Sequence, residues 1–428
     1  MRFLKGCILI TLIIFIGCSI GYCSGYLFKL QGGRANAMAG AFVATADDAS
    51  AIFYNPAGMG FLHNQQLLLG ANIHYQKGSL DGVNPLTNAN ISENLRASNF
   101  IVPATYYVKP INDKFTAGIG LFRRYNYDTE WEESSKYAGR FISQRTYLST
   151  WSINPSLAYQ FSSKLSVGAG IEIVEIKFGH EKNIPLLIHQ YDAIFDVAHL
   201  SIESKSEWGF AFDVGAIYLL RDDIKVGFSY RQGVKKDLDA QANFDVLPIS
   251  SVPLSENGGP SFPQETVAVQ TNVFLPSNLN FGASYKYDET LTIELDLGWE
   301  KWDDMKEIKF NFADYPIYNF SISKDYNNCF NIHLGAEKII DDTYRIQAGY
   351  AFEKSPVDSG NTDLLYWDGN RHNLSFGLTI VKEKIAMSIY NSFLFHQKIN
   401  VNEAKESAFN GSYKKFINVL GIAFNYNW

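Results

Sequence analysis

Residues 420–428 read Leu420-Gly421-Ile422-Ala423-Phe424-Asn425-Tyr426-Asn427-Trp428, and this stretch decides the fold. Large apolar residues alternate with small or polar ones at a period of two, the period of a β-strand whose faces meet different surroundings. The pattern recurs upstream. Leu291, Ile293, Leu295, Leu297 and Trp299 oppose Thr292, Glu294, Asp296, Gly298 and Glu300. Trp208, Phe210, Phe212, Val214, Ala216 and Tyr218 oppose Gly209, Ala211, Asp213 and Gly215, and Tyr344, Ile346, Ala348 and Tyr350 oppose Arg345, Gln347 and Gly349. One such strand fits a soluble sandwich with one buried face. Taken together the set does not, because the second face carries Gly, Ala, Ser and isolated carboxylates rather than surface lysines and threonines. That is the pattern of a barrel with lipid outside and a filled or wet interior.

Composition agrees. The chain has 428 residues with 31 Phe and 25 Tyr, only 19% charged residues and a formal charge of −7. An acidic chain without a basic block is a poor nucleic-acid binder. The spacing predicts roughly fourteen strands, an even number as a closed bacterial barrel requires. Short links fall at 110–113, 162–163, 221–222, 288, 340–341 and 382–383. They alternate with long links at 78–98, 127–146, 181–206, 235–265, 305–326, 355–370 and 399–412. Short periplasmic turns and long external loops place both termini on the periplasmic side. Two features strain the scheme. The apolar set from Leu165 runs through Ile173 and then shifts to Val174, Ile176 and Phe178, which reads as a β-bulge. Pro103, Pro155 and Pro276 fall within expected strands, where each removes a ladder bond.

Residues 1–24 read as a secretory signal peptide: Arg2 and Lys5, an apolar core over 7–20, then small residues at Gly21, Cys23 and Ser24. A lipid-modified Cys18 and an uncleaved anchor are the rival readings, the second disfavoured by the shortness of the apolar run. Three of the four cysteines lie in this leader, so Cys329 is expected to be a lone thiol in the mature chain. Residues 64–428 are expected to form the barrel.

Residues 25–63 are the expected hatch, with 33–62 (GRANAMAGAFVATADDASAIFYNPAGMGFL) as its core. The core has no clean helical or strand period, and its small residues let backbones approach closely. Asn55-Pro56 forces an extended or turn geometry. A barrel of this width cannot be filled by its own side chains, so this segment is the candidate plug.

Gly33-Arg34-Ala35, Asp47-Asp48-Ala49 and Asn55-Pro56-Ala57-Gly58 resemble the hatch of the long-chain fatty acid outer-membrane transporter family (FadL/TodX, OMPP1-like). The likeness continues collinearly through residues 153–159 and 164–170, Leu275-Pro276, Phe281-Gly282, Glu294-Leu295-Asp296, Trp299-Glu300-Lys301-Trp302, Gly349-Tyr350, Lys354-Ser355-Pro356-Val357 and Asn370-Arg371-His372. The resemblance implies a monomeric fourteen-stranded barrel in the outer membrane, closed by the hatch. It implies uptake of a hydrophobic small molecule, with capture at external loops, an apolar lumen pocket and lateral release through an opening beside a kinked third strand. On that likeness Asn55, Pro56, Ala57 and Gly58 form a gate; on the residues alone they form a static turn. Gly118 and Gly120 in the third strand mark the kink or make room for the hatch.

Arg34, Asp47 and Asp48 are the hatch charges. Arg34 is expected either to pair with Glu172, Asp213, Glu294 or Asp296 of the barrel interior, or to sit solvated in a wet lumen. Phe122, Trp131, Tyr137 and Phe141 line an external capture groove or belong to the interfacial aromatics. A substrate carboxylate would want a basic partner, for which Arg123, Arg124 and Arg140 lie near the external side. A basic group inside the pocket would favour carboxylate substrates, and an all-apolar pocket hydrocarbons. Outer-membrane lipid, and the barrel-assembly machinery through the strand ending in Trp428, are the expected partners. No cofactor, metal site or enzymatic step is expected: the sequence has no Gly-x-Ser-x-Gly elbow, His180-Glu181 lacks a second zinc-binding His, and no cysteine or histidine spacing suits a metal. A non-specific porin and an adhesin or structural barrel are the alternatives.

Overall fold

The computed structural model describes residues 25–27, 30–133, 136–188, 193–247, 262–405 and 408–428; the expected leader lies outside them. Fourteen barrel strands close on themselves. They are β1 (Gln66–Val83), β2 (Ser98–Pro110), β3 (Phe115–Phe122), β4 (Arg145–Ser162), β5 (Leu165–Ile188), β6 (Glu207–Arg221), β7 (Ile224–Arg231), β8 (Ser277–Lys286), β9 (Leu291–Lys301), β10 (Cys329–Ile339), β11 (Tyr344–Glu353), β12 (Arg371–Lys382), β13 (Ile385–His396) and β14 (Gly411–Asn427). Neighbours are antiparallel, and β14 pairs with β1 from Asn427↔Gln66 to Gly411↔Gly82. The short turns fall at 111–114, 163–164, 222–223, 287–290, 340–343 and 383–384. The Trp428 amide donates to the Gln65 carbonyl at 3.1 Å, so the barrel begins and ends at the short-turn rim.

The alternation that decides the fold is the lipid face. Leu420, Ile422, Phe424, Tyr426 and Trp428 are exposed, as are Trp208, Phe210, Phe212, Leu297, Ile346 and Phe376, while Ala423, Ala211, Asp213, Glu294 and Asp296 are buried inside. A continuous apolar belt of this kind would aggregate in water; a bilayer covers it.

The expected bulge in β5 is absent. Pairing with β6 runs in one register from Leu165↔Tyr218 to Ile176↔Glu207, and Ser166, Gly168, Gly170, Glu172, Val174, Ile176 and Phe178 all point inward. What changes at Val174 is the lumen. Beside the hatch it is lined by small and polar groups; beyond it the interior turns apolar, with Val174, Ile176, Phe178, Leu200, Leu238 and Phe274 in one buried cluster.

The prolines resolve separately. Pro276 splits the expected strand 266–287 into Val267–Leu275 and β8, and its freed carbonyl accepts from the Tyr125 hydroxyl at 2.6 Å. Pro155 lies where the β4–β5 pairing skips from Ile153↔Ile173 to Ser156↔Gly170 without a change of register. Pro103 faces Ala71 of β1, on a stretch of β2 whose other edge has no described strand partner. Cys329 is disulfide-bonded, which overturns the expectation of a lone thiol. The remaining cysteines, Cys7, Cys18 and Cys23, all lie outside the described residues.

Candidate functional site

The hatch sits inside the barrel. It has short helices at Arg34–Ala37 and Ala51–Tyr54 and a 3₁₀ turn at Pro56–Phe61, nearly all buried. Wall glycines let its backbone approach. A Cβ on Gly168 would lie 2.4 Å from the Pro56 carbonyl carbon, and one on Gly349 2.2 Å from that of Met38. Gly118 and Gly120 belong to this set: they sit in regular pairing with β4, and Cβ atoms there would meet Ile52 at 2.8 and 3.1 Å.

Asn55 ties the hatch to itself and to the wall. Its Nδ2 donates to the Val43 carbonyl at 2.8 Å and to Ala216 of β6 at 3.2 Å, and its Oδ1 accepts from the Ala57 amide at 3.2 Å. Ser166 Oγ donates to the Ala57 carbonyl at 2.7 Å. Pro56 starts the 3₁₀ turn, and Gly58 lies so close under Ala46 that a Cβ would stand 2.1 Å from its carbonyl oxygen.

Arg34 is paired, but not with the expected carboxylates. Its Nε and Nη2 hold both oxygens of Glu337 at 2.7 Å, and Nη1 holds Asp47 at 2.6 Å. Asp48 lies 3.9 Å from the same guanidinium and accepts from the Ser50 amide at 2.9 Å. Glu172 and Asp213 are taken by barrel cations: Arg124 and Arg231 reach Glu172 at 3.2 and 3.1 Å, and Arg231 reaches Asp213 at 3.4 Å. Arg231 also donates to the Ile52 carbonyl at 2.8 Å.

Of the four aromatics of the expected capture groove, Trp131 and Tyr137 meet each other, and Phe122 and Phe141 pack elsewhere. Phe122 points inward and packs edge-on against Phe53 of the hatch, centroids 5.3 Å apart. Trp131 stacks on Tyr137 at 4.4 Å inside a closed loop cluster, with Trp367 on its other side. Phe141 lies beneath Arg140, at 4.3 Å. Two of the three external arginines are paired: Arg124 holds Glu172, and Arg140 holds Asp196 at 2.7 Å, while Arg123 stacks on Trp151 with no described carboxylate within ion-pair distance.

The third strand is interrupted downstream of its glycines. Pairing of β2 with β3 stops at Thr105↔Leu121. The chain leaves the wall at 123–125 and resumes as Asn126–Glu130, which pairs with β4 alone among the described strands. β2 from 98 to 104 pairs with β1 alone. Above the seam the wall closes again, with the Arg96 amide donating to Glu130 at 2.8 Å. Behind the seam lies a cavity of mixed lining: apolar and aromatic groups of Tyr26, Leu27, Leu30, Phe100, Tyr127, Tyr366, Leu394 and Ile417, beside the polar groups of His74, Gln76, Asn126, His333, Glu353, Arg371, Asn373 and Lys415. Arg371 is held by Glu353. Lys415 is 8% exposed. Its Nζ reaches the Trp367 carbonyl at 3.4 Å and lies 4.2 Å from the Tyr366 ring centroid. No described carboxylate lies within ion-pair distance of it; Asp368, 3.3 Å from His396, attracts it from farther off. Sequence reasoning missed this lysine, although extending the phase of 420–428 backward places odd-numbered residues of β14 inside.

A plugged, lipid-facing barrel with an interrupted wall and an amphipathic inner cavity defines a transport channel of the bacterial outer membrane. The chain belongs to the outer membrane protein transport protein family (OMPP1/FadL/TodX), whose pattern residues 29–428 match. It is 26% identical over 409 residues to a long-chain fatty acid transport protein of Escherichia coli O6:H1, covering 90% of this chain and 89% of that one. It is 24% identical over 466 residues to a putative outer membrane protein of Neisseria meningitidis, covering 99% of each. Among solved structures, a Pseudomonas aeruginosa FadL homologue superposes with a TM-score of 0.80 at 17% identity, covering 95% of this chain and 99% of that one. The P. putida toluene transporter TodX gives 0.73 at 15%, covering 94% and 99%. The chain is thus an outer-membrane transporter of hydrophobic compounds, and not an enzyme.

Proposed function

We propose that this channel takes up long-chain hydrophobic compounds with an anionic head, fatty acids being the simplest. The observation that carries the reading is Lys415, a buried cation with no described carboxylate within ion-pair distance, in the lining of a cavity that also carries apolar and aromatic walls. Such a site holds a carboxylate by a charge-assisted hydrogen bond. The apolar walls hold the chain, at about 0.8 kcal/mol for each methylene withdrawn from water. Tyr26, Leu27 and Leu30, in the hatch just ahead of its core, line the cavity, so admitting a long chain requires that segment to shift.

Release is then lateral, through the seam between β2 and Asn126–Glu130. Phe100 and Tyr127 line both the seam and the cavity. Asn55-Pro56-Ala57-Gly58 gates the route below. Capture falls to apolar side chains at the external loops, where Ile317 is 86% and Leu187 48% exposed. Delivery to the barrel-assembly machinery through β14 and Trp428, and a surrounding shell of outer-membrane lipid, complete the reading. The plugged lumen speaks against a non-specific porin. The ring of Tyr26, Phe100, Tyr127 and Tyr366 favours a second substrate class, aromatic hydrocarbons.

The test is uptake of labelled oleate and labelled toluene by a host lacking its own hydrophobic-compound channels. Oleate uptake that depends on this protein supports the reading. Toluene uptake alone moves the assignment to hydrocarbons, and uptake of neither by a correctly inserted barrel removes it.

A further inference from the structure

The hatch hangs from the wall at one place more firmly than elsewhere. The amides of Phe42 and Val43 donate to Asp296 Oδ2 at 2.8 and 3.0 Å. Those of Ala44 and Thr45 donate to Glu294 Oε1 and Oε2 at 2.6 and 2.9 Å, and the Thr45 hydroxyl adds a further bond to Glu294. Successive backbone N–H groups pointing one way form a site that ordinarily captures a free anion. Here the acceptors are the carboxyl groups of two side chains of β9, spaced by two residues so that both point inward. Gly282 of β8 makes the approach feasible: a Cβ there would lie 2.4 Å from Asp296 Oδ1 and 2.9 Å from the Ala44 nitrogen. Elsewhere the contacts are of another kind. Residues 51–59 meet β3 through Ile52, Met59 and Phe53, all apolar, and meet β5 to β7 through hydrogen bonds from Ser166, Asn55 and Arg231. β8 and β9 stand about six strands round the barrel from the seam.

We infer that Glu294 and Asp296 are the latch of the plug: they fix residues 42–45 to β9, and without their carboxyl acceptors water and ions pass between hatch and wall along β8 and β9. The inference rests on the reading of residues 33–62 as a plug in a transport barrel, but not on which substrate passes. Glu294 and Asp296 are positioning residues, acting through the four backbone amides they bind.

The test compares the full-length wild type with Glu294→Gln/Asp296→Asn, both inserted as heat-modifiable barrels. Ion conductance in planar bilayers is read alongside amide exchange of residues 42–45. The latch predicts a resolved conductance in the variant against a closed background, with exchange at 42–45 at least tenfold faster and exchange in the barrel strands unchanged. A purely structural role would slow insertion or speed exchange throughout. A folded variant that stays closed with wild-type exchange at 42–45 overturns the proposal. If the double variant fails to insert, Asp296→Asn alone carries the same test, since Glu294 keeps its three bonds. Because conductance needs no substrate, failure of oleate uptake leaves this outcome readable.

Discussion

Asn55 of the hatch and Gly215 of β6 fit together so closely that a Cβ on Gly215 would stand 2.0 Å from Asn55 Oδ1. Gly215→Ala therefore forces the Asn55-Pro56 turn off the wall. Overpacking of this kind costs about 1–3 kcal/mol. The hatch docks by many contacts, so the barrel is expected to insert while the plug loosens, seen as ion conductance in planar bilayers. Adding Asn55→Ala removes the clashing oxygen, and the double variant should leak less than Gly215→Ala alone. Equal conductance of wild type and Gly215→Ala would show that the turn does not depend on this contact.

Lys415→Met removes the cavity's cation while keeping the length of its stem. A hydrogen bond to a charged group contributes about 1.5–3 kcal/mol, so oleate uptake at low substrate concentration should fall at least tenfold. Toluene uptake, if present, should stay within a factor of two, and Lys415→Arg should retain oleate. Parallel loss of both compounds at equal membrane levels would mean that Lys415 shapes the cavity rather than selecting its ligand.

Much of this architecture is written in the lipid face and little of it in the lumen. Bilayer contact demands large apolar side chains at every second position, so Leu420 to Trp428 and Leu291 to Trp299 declare both strand and orientation. Turns at 163–164 and 383–384 are legible because nothing but a tight reversal separates two such runs. The interior obeys no single composition. At Val174 it changes from polar to apolar, and the change mimics a slipped register where the pairing of β5 with β6 is continuous. Phe122, an aromatic near the external side, reads as a surface residue; its even position in β3 puts it inside against Phe53. Glu337 was hidden among other inward carboxylates until Arg34 came within 2.7 Å of it. Lys414 and Lys415 are adjacent and chemically alike, and only the strand's phase sends one to the surface and the other to the cavity.

The seam offers a direct test of lateral exit. The register that joins β2 to β3 at Thr105↔Leu121 also fits the Arg96–Glu130 bond above the seam, and it sets Ser98 opposite Asp128 across the gap. Cysteines at both positions, joined by a short bismaleimide, would tie the two edges together. Oleate uptake should fall severalfold in the linked protein and stay near wild type when either cysteine is present alone with the same reagent. Undiminished uptake after complete linking would exclude the seam as the exit.

Arg34 holds the other end of the hatch core, and its fork geometry sets the expected ranking of substitutions. Both Glu337 oxygens and Asp47 are bound by one guanidinium, an arrangement that Lys cannot reproduce with a single ammonium. Arg34→Ala leaves Glu337 buried and charged with only Gln347 still donating to it, at 2.9 Å. Removing one partner of a buried pair is expected to cost about 3–5 kcal/mol, read here as faster amide exchange over residues 34–41 in an intact barrel. Arg34→Lys should fall between, because charge survives but one of the bonds does not. In Arg34→Ala/Glu337→Gln the stranded charge is gone, so the double variant should exchange more slowly than Arg34→Ala alone. If the two effects simply add, Glu337 is solvated when unpaired, and Arg34 positions the hatch through Asp47 instead.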